Sequence, residues 1–461
     1  MHPLSKDWRG LYFPFIVNPR EQGKIIARAY ILEGKLNRRI LKQAINYVVN
    51  LHERLRTCVT KINGEYFEEI KPHLAVDLPF IDLSKHREKK AATKANEIYI
   101  KEGLKPMNFR VPPLLRTKLI KLSKNRYYFI FTAHHAAIDG PSLKILLDQL
   151  SNTYQELVRG KQPSSKPSRI SFLQYEESFN TWFTKEKEER MCAFWKRQVR
   201  HSQVFHLPFE KTRYPRNFDT SRIRDYLLKP TWANRVNGFC ETHGISRFVF
   251  FLTLASLLIS RYTGWLLAQN ASAANIRSNF LESDIVGNLG SQLFVYQKLK
   301  KTDSFIGLAE VLSDKIYQLL ENKLYPVNLL IPLFPPSKDK NFEIMRQLSI
   351  VHAPDTRDSI DFPDVVTTPI SRSTTPTLFR LVLNLREPKH GLIYSVHYPP
   401  NIYVKHGIDR MVYNLQQFTR IVIENPRIRL NQLPDLRDRK AASKPLKQSE
   451  RNQAIMNLIE I

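Results

Sequence analysis

The sequence predicts a mixed helix-and-strand protein of the α+β or α/β class, folded in two lobes. Three observations lead there. Amphipathic helical stretches alternate with paired strand-like runs on both sides of the chain's midpoint. A Pro/Ser-rich basic stretch, KQPSSKPSR at 161–169, interrupts that pattern and reads as a boundary between lobes. The chain has 461 residues, 42% of them hydrophobic, which is enough for two cored units. The expected divisions are 1–165, 170–437 and a polar, basic, frayed tail over 438–461.

The elements follow in order. Leu36, Ile40, Leu41, Ala44, Ile45, Val48 and Val49 fall on one helical face. Asn63-Gly64 lies between the runs CVTKI and EYFEEI, a hairpin signal. Ser84 is placed to cap a charged helix beginning near Lys85. A second hairpin joins LLRTKLIKL to RYYFIFTA through Ser123-Lys124-Asn125, and its second strand runs into His134-His135. Leu143, Leu146, Leu147, Leu150, Tyr154 and Leu157 then recur at helical spacing, and Gly160 closes that helix. Beyond the linker, helices (FWKRQV, RFVFFLTLASLLISRY) again mix with strands (LFRLVLNL, LIYSVHYP). The apolar stretch Phe248 to Ile259 is too short to span a bilayer and reads as a buried core helix. No membrane span and no signal peptide are expected.

Charge is the compositional anomaly, a formal +28. Such a field attracts acidic partners, or it is spread over solvated faces and serves solubility. No helix-turn-helix, RNP-like or zinc pattern accompanies it, so nucleic acid is not expected as a partner. Cys58, Cys192 and Cys240 are far apart and odd in number, which argues against a disulfide framework or a zinc site and fits a reducing cytosol.

The segment H134-H135-A136-A137-I138-D139-G140 stands where a strand gives way to a helix. Such junctions project side chains from a rigid frame. An imidazole there suits general-base work near neutral pH. Neighbouring strand residues point to opposite faces, so one histidine faces the chemistry and the other packs behind. Asp139 is suited to pair with a cation and lock the turn. Gly140 lets the chain bend or lets a substrate approach the backbone, and Ser142 is placed to cap the new helix. The same string also reads as a structural pair of histidines or as part of a metal site, although no further histidine or carboxylate cluster has ligand spacing.

HHAAIDGPSLKILLDQL resembles the core motif of nonribosomal peptide synthetase condensation domains, within the CoA-dependent acyltransferase superfamily. PLSKDWRGLYF resembles that family's opening motif and HERLRT (52–57) its second. FWKRQV, FVFFLTLASLLISRYTG, NIRSNFLESDIVGNLGSQLF and MVYNLQQFTRIVIENP follow in the family's order, so the likeness runs from about residue 3 to 435.

The resemblance implies a two-lobed, chloramphenicol-acetyltransferase-like fold, V-shaped with a central tunnel. His135 would be the catalytic or positioning histidine and His134 its packing neighbour. Asp139 would be structural, salt-bridged across the lobes to Arg277, with Gly140 beside it. Substrates would arrive on phosphopantetheine, carried by an acidic acyl or peptidyl carrier protein or by CoA, with no permanently bound cofactor and no metal. A free-standing cytoplasmic acyltransferase of secondary metabolism is therefore expected, since no adenylation segment or carrier serine motif is visible. An acyl-CoA-dependent O-acyltransferase and a catalytically degenerate binding or scaffold member are the alternatives. Three stretches depart from the family pattern: Gly287-Asn288-Leu289-Gly290-Ser291-Gln292, Phe379-Arg380-Leu381, and a latch motif reduced to Tyr325-Pro326.

Overall fold

The computed structural model describes residues 1–4, 25–211, 220–277, 282–335, 344–354, 359–376, 379–387, 391–447, 449–450 and 458–460. Most of the opening motif, residues 5–13, and residues 278–281 of the NIRSNFLESDIVGNLGSQLF segment lie outside them. The first part of the chain runs β1 (His2–Pro3), β2 (Ile25–Gly34), α1 (Arg38–Leu51), β3 (Thr57–Ile62), β4 (Glu65–Ile70), β5 (Phe80–Asp82) and α2 (Glu88–Leu104). It continues with β6 (Leu115–Ser123), β7 (Arg126–His134), α3 (Gly140–Val158), α4 (Phe172–Trp182) and α5 (Lys185–Val199). Next come β8 (Thr220–Leu228), α6 (Pro230–Thr242), α7 (Arg247–Thr263), β9 (Leu267–Asn275), β10 (Gly290–Lys298) and α8 (Phe305–Glu321). The last part holds β11 (Leu348–Pro354), β12 (Val365–Pro369), β13 (Thr374–Pro376), β14 (Leu381–Glu387), β15 (Ile393–Tyr398), α9 (Lys405–Glu424), α10 (Arg439–Ser443) and β16 (Leu458–Glu460).

Contacts divide the chain into two compact units, and neither is continuous in sequence. The first comprises Met1–Lys185, Asn275–Gly290 and Thr356–Pro376, and the second holds the remainder. A single boundary at 161–169 therefore does not describe the grouping. The two inserted stretches join the first unit for physical reasons. Arg277 and the backbone of 287–289 bond to Asp139 and Ser142, and β12 pairs antiparallel with β2.

In the first unit the sheet order is β12-β2-β7-β6-β5. The β6–β7 hairpin pairs Leu115 with Ala133, and β2 sets Ile25 opposite His134. β7 is apolar along nearly its whole length, so both its faces are covered. Tyr128 and Ile130 pack with Ala27, Ala29 and Ile31 of β2 and with Ala91, Ala95 and Tyr99 of α2. In the small sheet β3 and β4 are joined by Asn63 at φ 49° and Gly64 at φ 89°, the left-handed pair that a two-residue hairpin requires. α1 buries Leu41, Ala44, Ile45, Val48 and Val49, and the Asn37 side chain caps it. Ser84 does not act as a cap. Its amide and hydroxyl both donate to Asp82 Oδ1, at 2.8 and 2.5 Å, in a turn that delays the helix to Glu88.

In the second unit β10-β9-β11-β14-β15-β8 form one sheet, with β11 parallel to β14 and the β14-β15-β8 run antiparallel. α7 is buried along almost its full length, as an all-round apolar core helix must be. No single helix among the described residues is long and apolar enough to cross a membrane. Several described residues near the end of the chain pair with the second unit. Asp438 caps α10, Ala442 is buried, Arg410 holds Glu450 at 3.1 and 3.3 Å, and β16 pairs with β8. A polar, basic stretch can dock where one side chain, here Arg410, satisfies its carbonyls and its acid.

Candidate active site

β7 ends on His134, and the turn to α3 begins with His135. His134 is 1% exposed. Its ring meets Phe109 edge-on at 4.7 Å, and its Nδ1 accepts the Ala136 amide at 3.0 Å. An imidazole accepting at Nδ1 is neutral there, with its proton on Nε2. Its carbonyl receives the Ala137 and Ile138 amides and so shapes the turn. His134 is thus a packing residue that fixes the bend. From Tyr128 to Asp139, His135 is the one residue that is not fully buried. The bend presents it to solvent on a frame whose every other member is locked.

Asp139 is the N-cap of α3. Its Oδ1 accepts the Ser142 amide at 2.9 Å, the Ser142 hydroxyl at 2.6 Å and Arg277 Nη2 at 3.1 Å. Its Oδ2 accepts Arg277 Nη1 at 2.6 Å and the Leu289 amide at 3.0 Å. A carboxylate has about four lone-pair positions, so these donors saturate it. Both of its oxygens are therefore engaged in holding the turn to Arg277, Ser142 and Leu289. The pair is nearly dry, with side chains 4% (Arg277) and 7% (Asp139) exposed. Arg277 also donates to the carbonyls of Ile285 at 2.8 Å and Gly287 at 3.3 Å. Both partners belong to the first compact unit, so this is not the bridge across lobes that a boundary at 161–169 implied.

Ser142 is not the cap either; it stands in the first turn and serves the knot. Its one hydroxyl proton is shared between Asp139 Oδ1 and the Gly287 carbonyl at 2.7 Å, and its oxygen accepts the Gly287 amide and Arg277 Nη2, each at 3.0 Å. Gly140 opens α3 with no positive φ, so bending is not its role. It is exposed, and a Cβ there would meet nothing within 4 Å, which leaves open space beside the turn.

Sequence reasoning missed the supports behind this knot. Gly287 and Leu289 act through their backbone, so the unusual side chains of 287–292 leave the bonds to Asp139 and Ser142 intact. Behind Gly287 lies Phe172, on which a Cβ at 287 would overlap. The Arg54 guanidinium lies over the Phe172 ring at 3.9 Å and pairs with Glu68 at 2.6 Å, both ions being 2% exposed. The HERLRT stretch thus supports the histidine turn from a distance, through Phe172 and Gly287. We expect Gly287→Ala to destabilise the protein by about 1–3 kcal/mol, the usual cost of overpacking, read as a lower urea midpoint at unchanged slope. An unchanged midpoint would disprove this packing.

The Arg380 departure has a structural account in the second unit. Arg380 is buried and donates to Glu210 Oε2 at 3.0 Å, while Glu210 Oε1 accepts the Leu207 amide at 3.1 Å. Tyr325 is buried. Among the described residues no cluster of histidine, cysteine or carboxylate side chains has the arrangement of a metal site.

The model of the condensation domain family matches residues 1–443. The chain belongs to the condensation domain family. Gramicidin S synthase 2 of Brevibacillus brevis is 23% identical over 411 residues, covering 87% of this chain but 9% of that protein. This chain thus spans less than a tenth of that relative's length. Among solved structures, the X-domain from teicoplanin biosynthesis superimposes with a TM-score of 0.79 at 17% identity, covering 94% of this chain and 97% of its own. The X-domain has also been solved in complex with OxyB. A variant of the starter condensation domain of rhizomide synthetase, in complex with C8-CoA, gives 0.77 at 17% identity, covering 94% and 97%. These likenesses establish the two-lobed α+β fold of condensation domains for this chain.

Proposed function

We propose that this condensation domain transfers an acyl group from a phosphopantetheine thioester, on a carrier protein or on CoA, to an amine or hydroxyl. What supports the reading is His135, the single accessible residue of a buried strand end. In the proposed step the acceptor attacks the thioester carbonyl while His135 takes its proton. The tetrahedral adduct then collapses, the carbon–sulfur bond breaks, and the leaving thiolate takes a proton back from His135. An amide or ester and a free thiol result. Holding acceptor and thioester together supplies most of the acceleration, and His135 adds general-base catalysis. The phosphopantetheine arm belongs to the substrates, so no resident cofactor is required. The open space beside Gly140 suits close passage of a substrate along the backbone. We place the activity in the cytosol, where Cys58, Cys192 and Cys240 stay reduced. The test is acceptor-dependent thiol release from a panel of acyl thioesters; release that ignores the acceptor, or none at all, sinks the proposal.

A second reading is a binding member without turnover. It is favoured by the likeness to the X-domain and by the departures at 287–292. Tight binding of a partner with no thiol release would decide for it.

The net charge of +28 bears on the donor. A carrier acidic around its modified serine would be steered to a basic enzyme, and steering fades as salt rises. Screening shortens to about 8 Å at physiological ionic strength. We therefore expect kcat/KM for a carrier-bound donor to fall steeply over a salt series, while that for a small soluble thioester stays flat. Equal, flat responses would separate the charge from carrier recognition.

A further inference from the structure

The start of α2, in the first compact unit, is the most densely positive part of the described chain. Lys85, Arg87, Lys89, Lys90 and Lys94 fall within ten residues, and no other described stretch of that length holds as many cations. Glu88 is the one acid among them, and it is engaged by Arg126 of the β6–β7 hairpin. Arg126 also reaches Glu33 at 3.0 Å, and Lys121 of the same hairpin stands 3.9 Å from Asp82. These contacts bring the hairpin turn, which holds Lys124, up against the helix start. Lys94 Nζ donates to His86 Nε2 at 3.1 Å and ties the 85–87 turn to the helix. Among the described residues, no carboxylate lies within salt-bridge distance of Lys85, Arg87, Lys89, Lys90, Lys94 or Lys124. Lys94 is half-buried and the other five are exposed.

Helix stability does not explain this cluster. Cations in the first turn oppose the helix dipole, and Lys90 and Lys94, four residues apart, repel one another. Arg87 stands at the N-cap and makes no side-chain capping bond. The chemistry of the patch narrows its partner. No large apolar side chain of residues 82–104 or 115–126 is exposed among the described residues. A protein partner would find no aromatic or aliphatic anchor there, and a nucleic acid no ring on which to stack a base. Five of the six cations are lysines, point charges on flexible stems without the fork that fits one fixed carboxylate or phosphate. They stand on a helix start and a hairpin turn. A clustered, lysine-rich, anchor-free surface of this kind matches the diffuse negative field of an anionic bilayer.

We propose that the start of α2, with the β6–β7 turn beside it, docks this protein on an anionic lipid surface by charge alone. Docking is peripheral and reversible, since nothing in the patch inserts into the bilayer. It is independent of the acyl-transfer reading, because His135, Asp139 and Arg277 do not belong to the patch.

The test is co-sedimentation of the full chain with vesicles of phosphatidylcholine alone or of phosphatidylcholine mixed with phosphatidylglycerol. Three variants accompany the wild type. One combines Lys85→Gln, Lys89→Gln, Lys90→Gln and Lys94→Gln. The second places arginine at the same four positions. The third, a control, combines Lys161→Gln, Lys196→Gln, Lys298→Gln and Lys300→Gln and removes equal charge from exposed positions elsewhere. We expect the wild type to bind only the phosphatidylglycerol vesicles and to leave them in 1 M salt, where screening shortens to about 3 Å. The glutamine patch variant should bind at least about fiftyfold more weakly, on the usual scale for four lysines at such a surface, and should melt no lower than wild type. The arginine variant and the control should stay within about threefold of wild type, since one keeps the charge and the other removes only distant, screened charge. Absence of wild-type binding, binding to phosphatidylcholine alone, or equal losses in the patch and control variants overturns the proposal. So does a glutamine patch variant that melts well below wild type or fails to fold, which would make the charge structural. Patch-dependent binding to duplex RNA or to an acidic carrier protein, without binding to phosphatidylglycerol vesicles, overturns it too.

Discussion

Replacing His135 with alanine is expected to cut turnover at least about a hundredfold, the usual scale for a lost acid–base group, while leaving the fold intact. The two halves of that expectation have separate grounds. His135 is the accessible member of a turn whose other members are buried, and Asp139 is already saturated by Ser142, Arg277 and Leu289. The turn itself is shaped by His134 through its carbonyl and Nδ1, so His135→Ala removes chemistry without removing support. The measurement is kcat on acyl thioesters beside a urea titration of the same preparation. A loss of only a few fold with an unchanged midpoint would reduce His135 to a positioning residue. Near-normal turnover would remove it from the mechanism.

Breaking the Asp139–Arg277 pair should have the largest effect on stability. Each single substitution, Asp139→Ala or Arg277→Met, is expected to destabilise by about 3–5 kcal/mol, because the surviving ion stays buried without its partner. Asp139→Asn is no gentler. However its amide is turned, one oxygen becomes an NH2, and Arg277 meets the original carboxylate on both sides, at 2.6 and 3.1 Å. The double substitution should cost less than the sum of the singles, the mark of direct coupling. Urea midpoints at constant slope give the numbers. Singles costing under about 1 kcal/mol, the range of exposed pairs, would mean the knot is solvated and weak.

Much of the fold was legible because local chemistry decided it. Asn63-Gly64 has the two residue types that tolerate left-handed backbone, and the hairpin forms there. The unbroken apolar run of β7 announces a strand covered on both faces, and it leads into the histidines. What stayed hidden has a common cause: it depends on partners distant in sequence or on the backbone. Ser84 has the right residue type for a cap, but Asp82, two residues before it, takes both its donors. Ser142 was legible as a helix-start residue; its bonds to Gly287 cross 145 residues. The amides of Gly287 and Leu289 carry no side-chain signature, so a stretch that departs from its family in side chains still holds Asp139.

The central claim is acyl transfer, and the most direct test is mass spectrometry of the products. The protein is incubated with acyl-CoA and acyl-carrier thioesters and with a panel of amines and alcohols. The account predicts a new species whose mass equals acyl thioester plus acceptor minus the free thiol, formed by the wild type and nearly absent with His135→Ala. Folded wild-type protein that binds a thioester or a carrier yet forms no such species with any acceptor would contradict it.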